Sequence, residues 1–161
     1  MGTPEQLIRV LPSTSGSAIW AVSPRGCDLE ASPNCTDARG GAFDQERSQS
    51  WKDLGPYTLD LEKNLGYNES GIFGLDNVAL GLSNATGGPS MDSQVVAAIG
   101  AQTWYTGILG LQQQPMNLSD TQPGQTFLSS LKTRNIIPSL SWAYTAGASY
   151  RVLPIQGEGL S

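Results

Sequence analysis

The residues best placed to do chemistry are a run of hydroxyls, Ser13-Thr14-Ser15-Gly16-Ser17, set between two apolar segments. A serine nucleophile needs a base to take its proton, and the chain contains no histidine. That absence removes Ser-His-Asp and Cys-His arrangements, HExxH zinc sites and every histidine proton relay. An enzyme built from this chain would have to work with carboxylates, hydroxyls or lysine. Two cysteines, Cys27 and Cys35, are too few soft ligands for a zinc or iron–sulfur site, so neither a metal nor a cofactor is expected. Both lie in a polar stretch, where in an oxidising compartment they would close a short loop stabilised by about 2.5 kcal/mol; two unrelated buried thiols are the alternative. The sequons Asn34-Cys35-Thr36, Asn68-Glu69-Ser70, Asn84-Ala85-Thr86 and Asn117-Leu118-Ser119 are candidate N-glycosylation sites and favour a secretory route.

The elements that must position these residues are short. A chain of 161 residues suits one domain with a real core. With 19 Gly, 10 Pro and 14% charged residues, the composition predicts a turn-rich, all-β, mainly antiparallel domain rather than a helical bundle. Lysine and arginine number 9 against 14 acidic residues, a net charge of −5, and no basic stripe exists to neutralise phosphates, so nucleic acid is not an expected partner. The longest apolar run, Val95 to Ile99, falls far short of the roughly 20 residues of a membrane helix. No leader is visible at Met1 to Gln6, which conflicts with the sequons. A fragment, or a chain lacking its leader, reconciles the two.

Along the chain, Leu7 to Leu11 and Ala18 to Val22 read as a hairpin turning at Pro12 to Gly16. From Ser23 to Trp51 there is no periodicity, so a long surface excursion is predicted. Tyr57 to Leu61 alternates as a strand, Gly71 to Gly81 reads as a glycine-punctuated strand pair, and Gln94 to Ile99 and Gly107 to Leu111 as further strands. One helix is predicted over Thr126 to Arg134, capped by Thr126 and ended by Pro138. Leu140, Trp142 and Tyr144 alternate as a last strand.

In order, these signals resemble the pepsin-like aspartic endopeptidases, from Gly2 to about Arg151. Gly2-Thr3-Pro4-Glu5-Gln6 resembles the family's G-T-P-x-Q, and Ser13-Thr14-Ser15-Gly16-Ser17-Ala18-Ile19-Trp20 lies where the family carries D-T-G-S-S-x-L-W. Cys27 and Cys35 match the small disulfide loop that follows. Phe43 with Ser48-Gln49-Ser50-Trp51 matches the F-x-x-x-x-S-x-[TS]-[WY] segment. Gly71 to Val78 is similar to the strands after the flap, Thr106 to Leu111 to D-G-I-L-G-L, and Phe127 to Leu131 through Ile137-Pro138 to the helix and turn closing the N-terminal lobe. Ser141 to Ala148 is most similar to fungal members. The resemblance implies one lobe, residues 1–161, of a two-lobed acid-protease β-barrel with one or two short helices, the C-terminal lobe being absent.

Departures from the family pattern bear on activity. Pepsin-like catalysis uses two carboxylates, one from each lobe, sharing a proton; by register this lobe offers Ser13 in the aspartate position, so no catalytic residue is assigned. Ser15 stands where the family has glycine, and a Cβ there is expected to disturb the turn. Asp92-Ser93 and Asp120-Thr121 are the Asp-[Ser/Thr] pairs present; neither is followed by glycine or set between apolar strands. Counting back from Gly71 puts Asn64 at the flap-tyrosine position, whereas Tyr67 fits a shorter hairpin; it is either a flap tyrosine or a strand aromatic.

Three readings follow: a lobe without peptidase chemistry that keeps a groove for extended polypeptide; a fragment of a secreted aspartic endopeptidase completed by its missing lobe; and a secreted β-domain binding glycans or cell-wall material, for which Trp104 and Tyr105 are available. The first leads. It carries the expectation that the isolated chain self-associates through strand edges and an apolar seam at Ile108 to Leu111 and Leu140 to Tyr144.

Overall fold

The structure, a computed structural model, describes residues 1–27, 33–59, 69–81, 88–100, 104–119 and 122–143. Among them are strands β1 (Val10–Ser13), β2 (Ile19–Val22), β3 (Lys52–Thr58), β4 (Ser70–Ala79), β5 (Ser90–Ile99), β6 (Gly107–Gly110), β7 (Met116–Ser119) and β8 (Gln122–Gly124), with helices α1 (Cys35–Ala38) and α2 (Phe127–Thr133). Six strands form one sheet in the order β1-β6-β2-β5-β4-β3, and β7 pairs with β8 in a second. The domain is mostly β, as expected, but the sheet is mixed: β1 runs parallel to β6 and β2 parallel to β5.

The central strands explain the continuous apolar runs. Trp20, Val95, Ala97 and Ile99 face one side with Phe73, Leu59 and Met116, while Ile19, Ala21, Val96 and Ala98 face the other with Phe43, Val78, Phe127 and Leu131. A strand covered on both faces has no polar side to alternate with. No helix among the described residues is long and apolar enough to cross a membrane.

Five expectations are corrected. The segments around Pro12 do not form a hairpin, because β6 lies between β1 and β2, pairing Ile19 with Leu109 and Val10 with Gly107. Glycine makes the insertion possible: a Cβ on Gly110 would lie 2.5 Å from the Ala18 carbonyl oxygen and 2.6 Å from that of Gly16, and one on Gly107 would lie 2.5 Å from that of Trp20. Pro12, lacking an N–H, could not have supplied its share of a hairpin ladder.

The stretch from Ser23 to Trp51 is not all surface, since Phe43 is fully buried against Trp51, ring centroids 5.8 Å apart. A single anchoring aromatic leaves no periodic trace in a sequence. Gly71 to Gly81 is one strand rather than two: β4 runs unbroken to Ala79 between β3 and β5, with an irregularity at Asp76–Val78.

Helix α2 forms as expected, with Thr126 Oγ1 accepting from the Ser129 N–H, but Pro138 does not end it. Asn135, at φ 57°, does so in the left-handed cap conformation, donating to the Lys132 carbonyl while the Ile136 N–H donates to that of Leu131. Finally, Leu140 to Ala143 form no strand; Trp142 is exposed and finds no sheet edge. Tyr144 lies outside the described residues.

Candidate functional site

The hydroxyl run sits where β1 ends. Ser13 is its last residue and is half-buried, Thr14 and Ser15 are exposed, Gly16 is buried and Ser17 is half-buried. Three backbone hydrogen bonds tie this loop to the end of β6: Leu111 N–H to the Ser13 carbonyl at 2.8 Å, Gln112 N–H to that of Gly16 at 3.0 Å, and Gly110 N–H to that of Ala18 at 3.0 Å. The β6 insertion therefore holds the loop from beneath, and any Cβ at Gly110 would lift it.

Inside the loop, Ser13 Oγ lies 2.9 Å from Ser15 Oγ and accepts from the Ser15 N–H at 3.3 Å. This is a serine turn, in which a side chain bonds the backbone two residues on. Ser15 is not among the described residues with left-handed backbone, which are Ser93 and Asn135 apart from glycines. Ser15 thus carries its Cβ without left-handed strain. Among the described residues no carboxylate hydrogen-bonds Ser13 or Ser15. The pair can donate to and accept from a bound backbone, but among the described residues no base is hydrogen-bonded to either member.

Asp92 is no substitute: it lies near the start of β5, its carboxylate 80% exposed and 3.7 Å from the Arg134 guanidinium. Asp120, Asn64 and Tyr67 lie outside the described residues, as do Asn68 and Asn84. Asn34 is exposed at the start of α1 and makes no capping bond, and Asn117 lies in β7. Cys27 and Cys35 are joined in a disulfide, Cα atoms 5.7 Å apart, as the sequence implied. No group of three or more histidine, cysteine or acidic residues among the described ones is placed to hold a metal.

Two arrangements escaped sequence reasoning. Arg39 is only 5% exposed, and its guanidinium donates to the Gly26 carbonyl at 2.8 Å, to that of Tyr105 at 3.0 Å and to that of Trp104. It ties the disulfide segment to the turn before β6. Burial lowers its pKa, with Tyr105 opposing, yet an arginine stays cationic. The available signal was a lone arginine before two glycines, and Gly40 and Gly41 do adopt φ 88° and 99°.

The second is a network ending on Asp76, a fully buried carboxylate on β4. Its Oδ1 accepts from Ser50 Oγ and, at 2.8 Å, from the Asn77 N–H. Ser50 Oγ lies 2.9 Å from Thr3 Oγ1 and 3.2 Å from Ser48 Oγ. Asn77 Nδ2 donates to Thr3 Oγ1, and the Thr3 N–H to Ser48 Oγ. A hydroxyl has one proton; Ser50 shares its proton between the Asp76 carboxylate and Thr3 Oγ1, both of which accept from it, and Ser48 can turn its own toward Ser50. An aspartate on the buried side of an apolar strand was the sequence signal.

Trp20, seven residues beyond Ser13, is fully buried and meets Trp104 edge-on at 5.9 Å. Leu11, 61% exposed, pairs in register with Ile108 and so shares its face of the sheet. The family model for eukaryotic aspartyl proteases matches residues 1–146. None of the curated proteins compared with the chain matches it. With nine-tenths of its length matched and the mixed sheet in place, the chain belongs to the eukaryotic aspartyl protease family, as a pepsin-like N-terminal lobe.

Proposed function

We propose that this chain is a pepsin-family lobe without peptidase chemistry, keeping a groove for extended polypeptide. One observation carries the reading: a loop fully tied to β6 presents two mutually bonded hydroxyls, Ser13 and Ser15, with no carboxylate bonded to either among the described residues. In this reading Ser13 occupies the aspartate position. Serine does not ionise in the acidic range, so it cannot share a proton with a second carboxylate. Leu11 and Tyr105, 61% and 66% exposed, offer apolar contacts, while the loop offers hydroxyls to a backbone.

The parent protein is read as a secreted fungal glycoprotein. The disulfide and the four sequons support the compartment, and the similarity of Ser141 to Ala148 supports the source. The chain is taken as one lobe, with a second supplied from outside it. Alone it is expected to associate through strand edges and the apolar patch at Ile108 to Leu111 and Leu140 to Tyr144, with Leu7, Leu11 and Tyr105 also exposed.

Cleavage of a denatured protein between acidic and near-neutral pH, with and without a pepstatin-type inhibitor, tests the reading. No inhibitor-sensitive turnover is expected, and turnover that the inhibitor abolishes overturns it in favour of a working peptidase fragment. Light scattering over a concentration series tests association, and a strict monomer would count against the exposed seam.

A further inference from the structure

The sequon Asn34-Cys35-Thr36 shares its middle residue with the disulfide. Asn34 and Thr36 are both exposed, and Asn34 makes no capping bond. The folded surface therefore has room for a glycan on Asn34. Receiving one is a different matter.

In a sequon the hydroxyl two residues on must lie beside the asparagine amide during transfer. Residues two apart share a side in extended chain, but on a helix they do not face each other. Here Asn34 begins a helical turn closed by Ala38 N–H to the Asn34 carbonyl at 2.9 Å, Arg39 N–H to that of Cys35 at 3.0 Å and Gly41 N–H to that of Thr36 at 2.8 Å. Cys35 is tied covalently to Cys27, and the buried Arg39 guanidinium fastens the far end of the turn to the Gly26 and Tyr105 carbonyls. Extending this sequon means undoing the hydrogen bonds of the turn, which the disulfide holds closed.

We propose that Asn34 is a glycosylation site timed by the Cys27–Cys35 disulfide: it accepts a glycan before the bond closes and not afterwards. In the transfer, Asn34 Nδ2 attacks the anomeric carbon of a lipid-pyrophosphate-linked oligosaccharide. The C–N bond forms, the C–O bond to phosphate breaks, Nδ2 gives up a proton, and the lipid pyrophosphate leaves with the electron pair. In the closure, the two thiols lose two protons and two electrons to the disulfide of an exchange oxidoreductase, which becomes a dithiol. The inference rests on the secretory reading above, but not on whether the lobe is catalytic.

The experiment uses the whole chain behind a host leader, so the natural route of the parent does not enter. Occupancy at Asn34 is measured by glycopeptide mass spectrometry on total cellular chains, relative to the other sequons, in wild type, in Cys27→Ser and in wild type synthesised with dithiothreitol. A severalfold rise in both treated cases is expected. In a second arm, purified unglycosylated chain is offered to microsomal transferase with its lipid-linked donor, either oxidised or reduced. The reduced chain is expected to accept at Asn34 and the oxidised chain to refuse. Cys35→Ala, which keeps an Asn-x-Thr sequon, should behave as the reduced chain does. Equal acceptance by oxidised and reduced chains overturns the proposal, as does acceptance by neither. If wild type is already fully occupied in cells, the second arm decides.

Discussion

Two clusters of hydroxyls in this lobe share a chemistry and differ in what they surround. At the end of β1, Ser13 and Ser15 bond to each other on a half-open loop. On the other side of the domain's middle strands, Ser50 donates to the buried carboxylate of Asp76, and the Thr3 and Ser48 hydroxyls bond to Ser50 in turn. The lobe thus keeps a fully buried aspartate to fasten the segment around Thr3 onto β4, while the loop at the end of β1 carries only hydroxyls. Position in the fold, not residue type, decides which hydroxyls stabilise and which face outward for contact.

The comparison can be broken from the backbone side first. Gly110→Ala places a Cβ against two carbonyl oxygens of the Ser13 loop and its neighbour, and overpacking of this kind is expected to cost about 3 kcal/mol. Urea denaturation would read it as a lower midpoint. A variant as stable as wild type would mean that the loop is not held on β6.

Asp76→Ala comes next, with an expected loss of about 2 kcal/mol, because the half-buried Asn77 N–H loses its acceptor and the Ser50 hydroxyl loses its charged one. Asp76→Asn, which keeps an acceptor oxygen, should recover most of it. If the asparagine variant is as unstable as the alanine one, the network is not what Asp76 contributes.

Removing the cap of α2 by Thr126→Ala is expected to cost about 1 kcal/mol, since Thr126 Oγ1 accepts from the Ser129 N–H. This serves as a ruler between the two clusters. Amide exchange in the first turn of the helix would report the loss directly.

Ser13→Ala should be the smallest change, below about 0.5 kcal/mol, because the two bonds it removes, to the Ser15 hydroxyl and from the Ser15 N–H, are both exposed and no buried group loses its partner. A loss as large as that of Asp76→Ala would erase the contrast between the clusters. It would make Ser13 a structural residue.

Much was legible locally. Thr126 announced its helix, because a cap is a bond between residues three apart. Cys27 and Cys35 announced their disulfide by proximity in a polar stretch. The apolar run from Val95 to Ile99 announced a strand, and its lack of alternation is the mark of burial on both faces. The resemblance of successive segments to one family was legible too, and the family model matches residues 1–146.

What the tertiary structure alone decided is non-local. That β6 enters between β1 and β2 depends on parallel pairing across nearly a hundred residues, and neighbouring strands in sequence look like a hairpin until a third strand competes for the same edge. Arg39 appears as an ordinary surface arginine until three carbonyls from two distant turns converge on it. Asp76 appears as a turn residue inside a strand until Ser50 closes over it. A sequence records which side chains can bond; the burial that makes those bonds matter is set only when distant segments exclude water together.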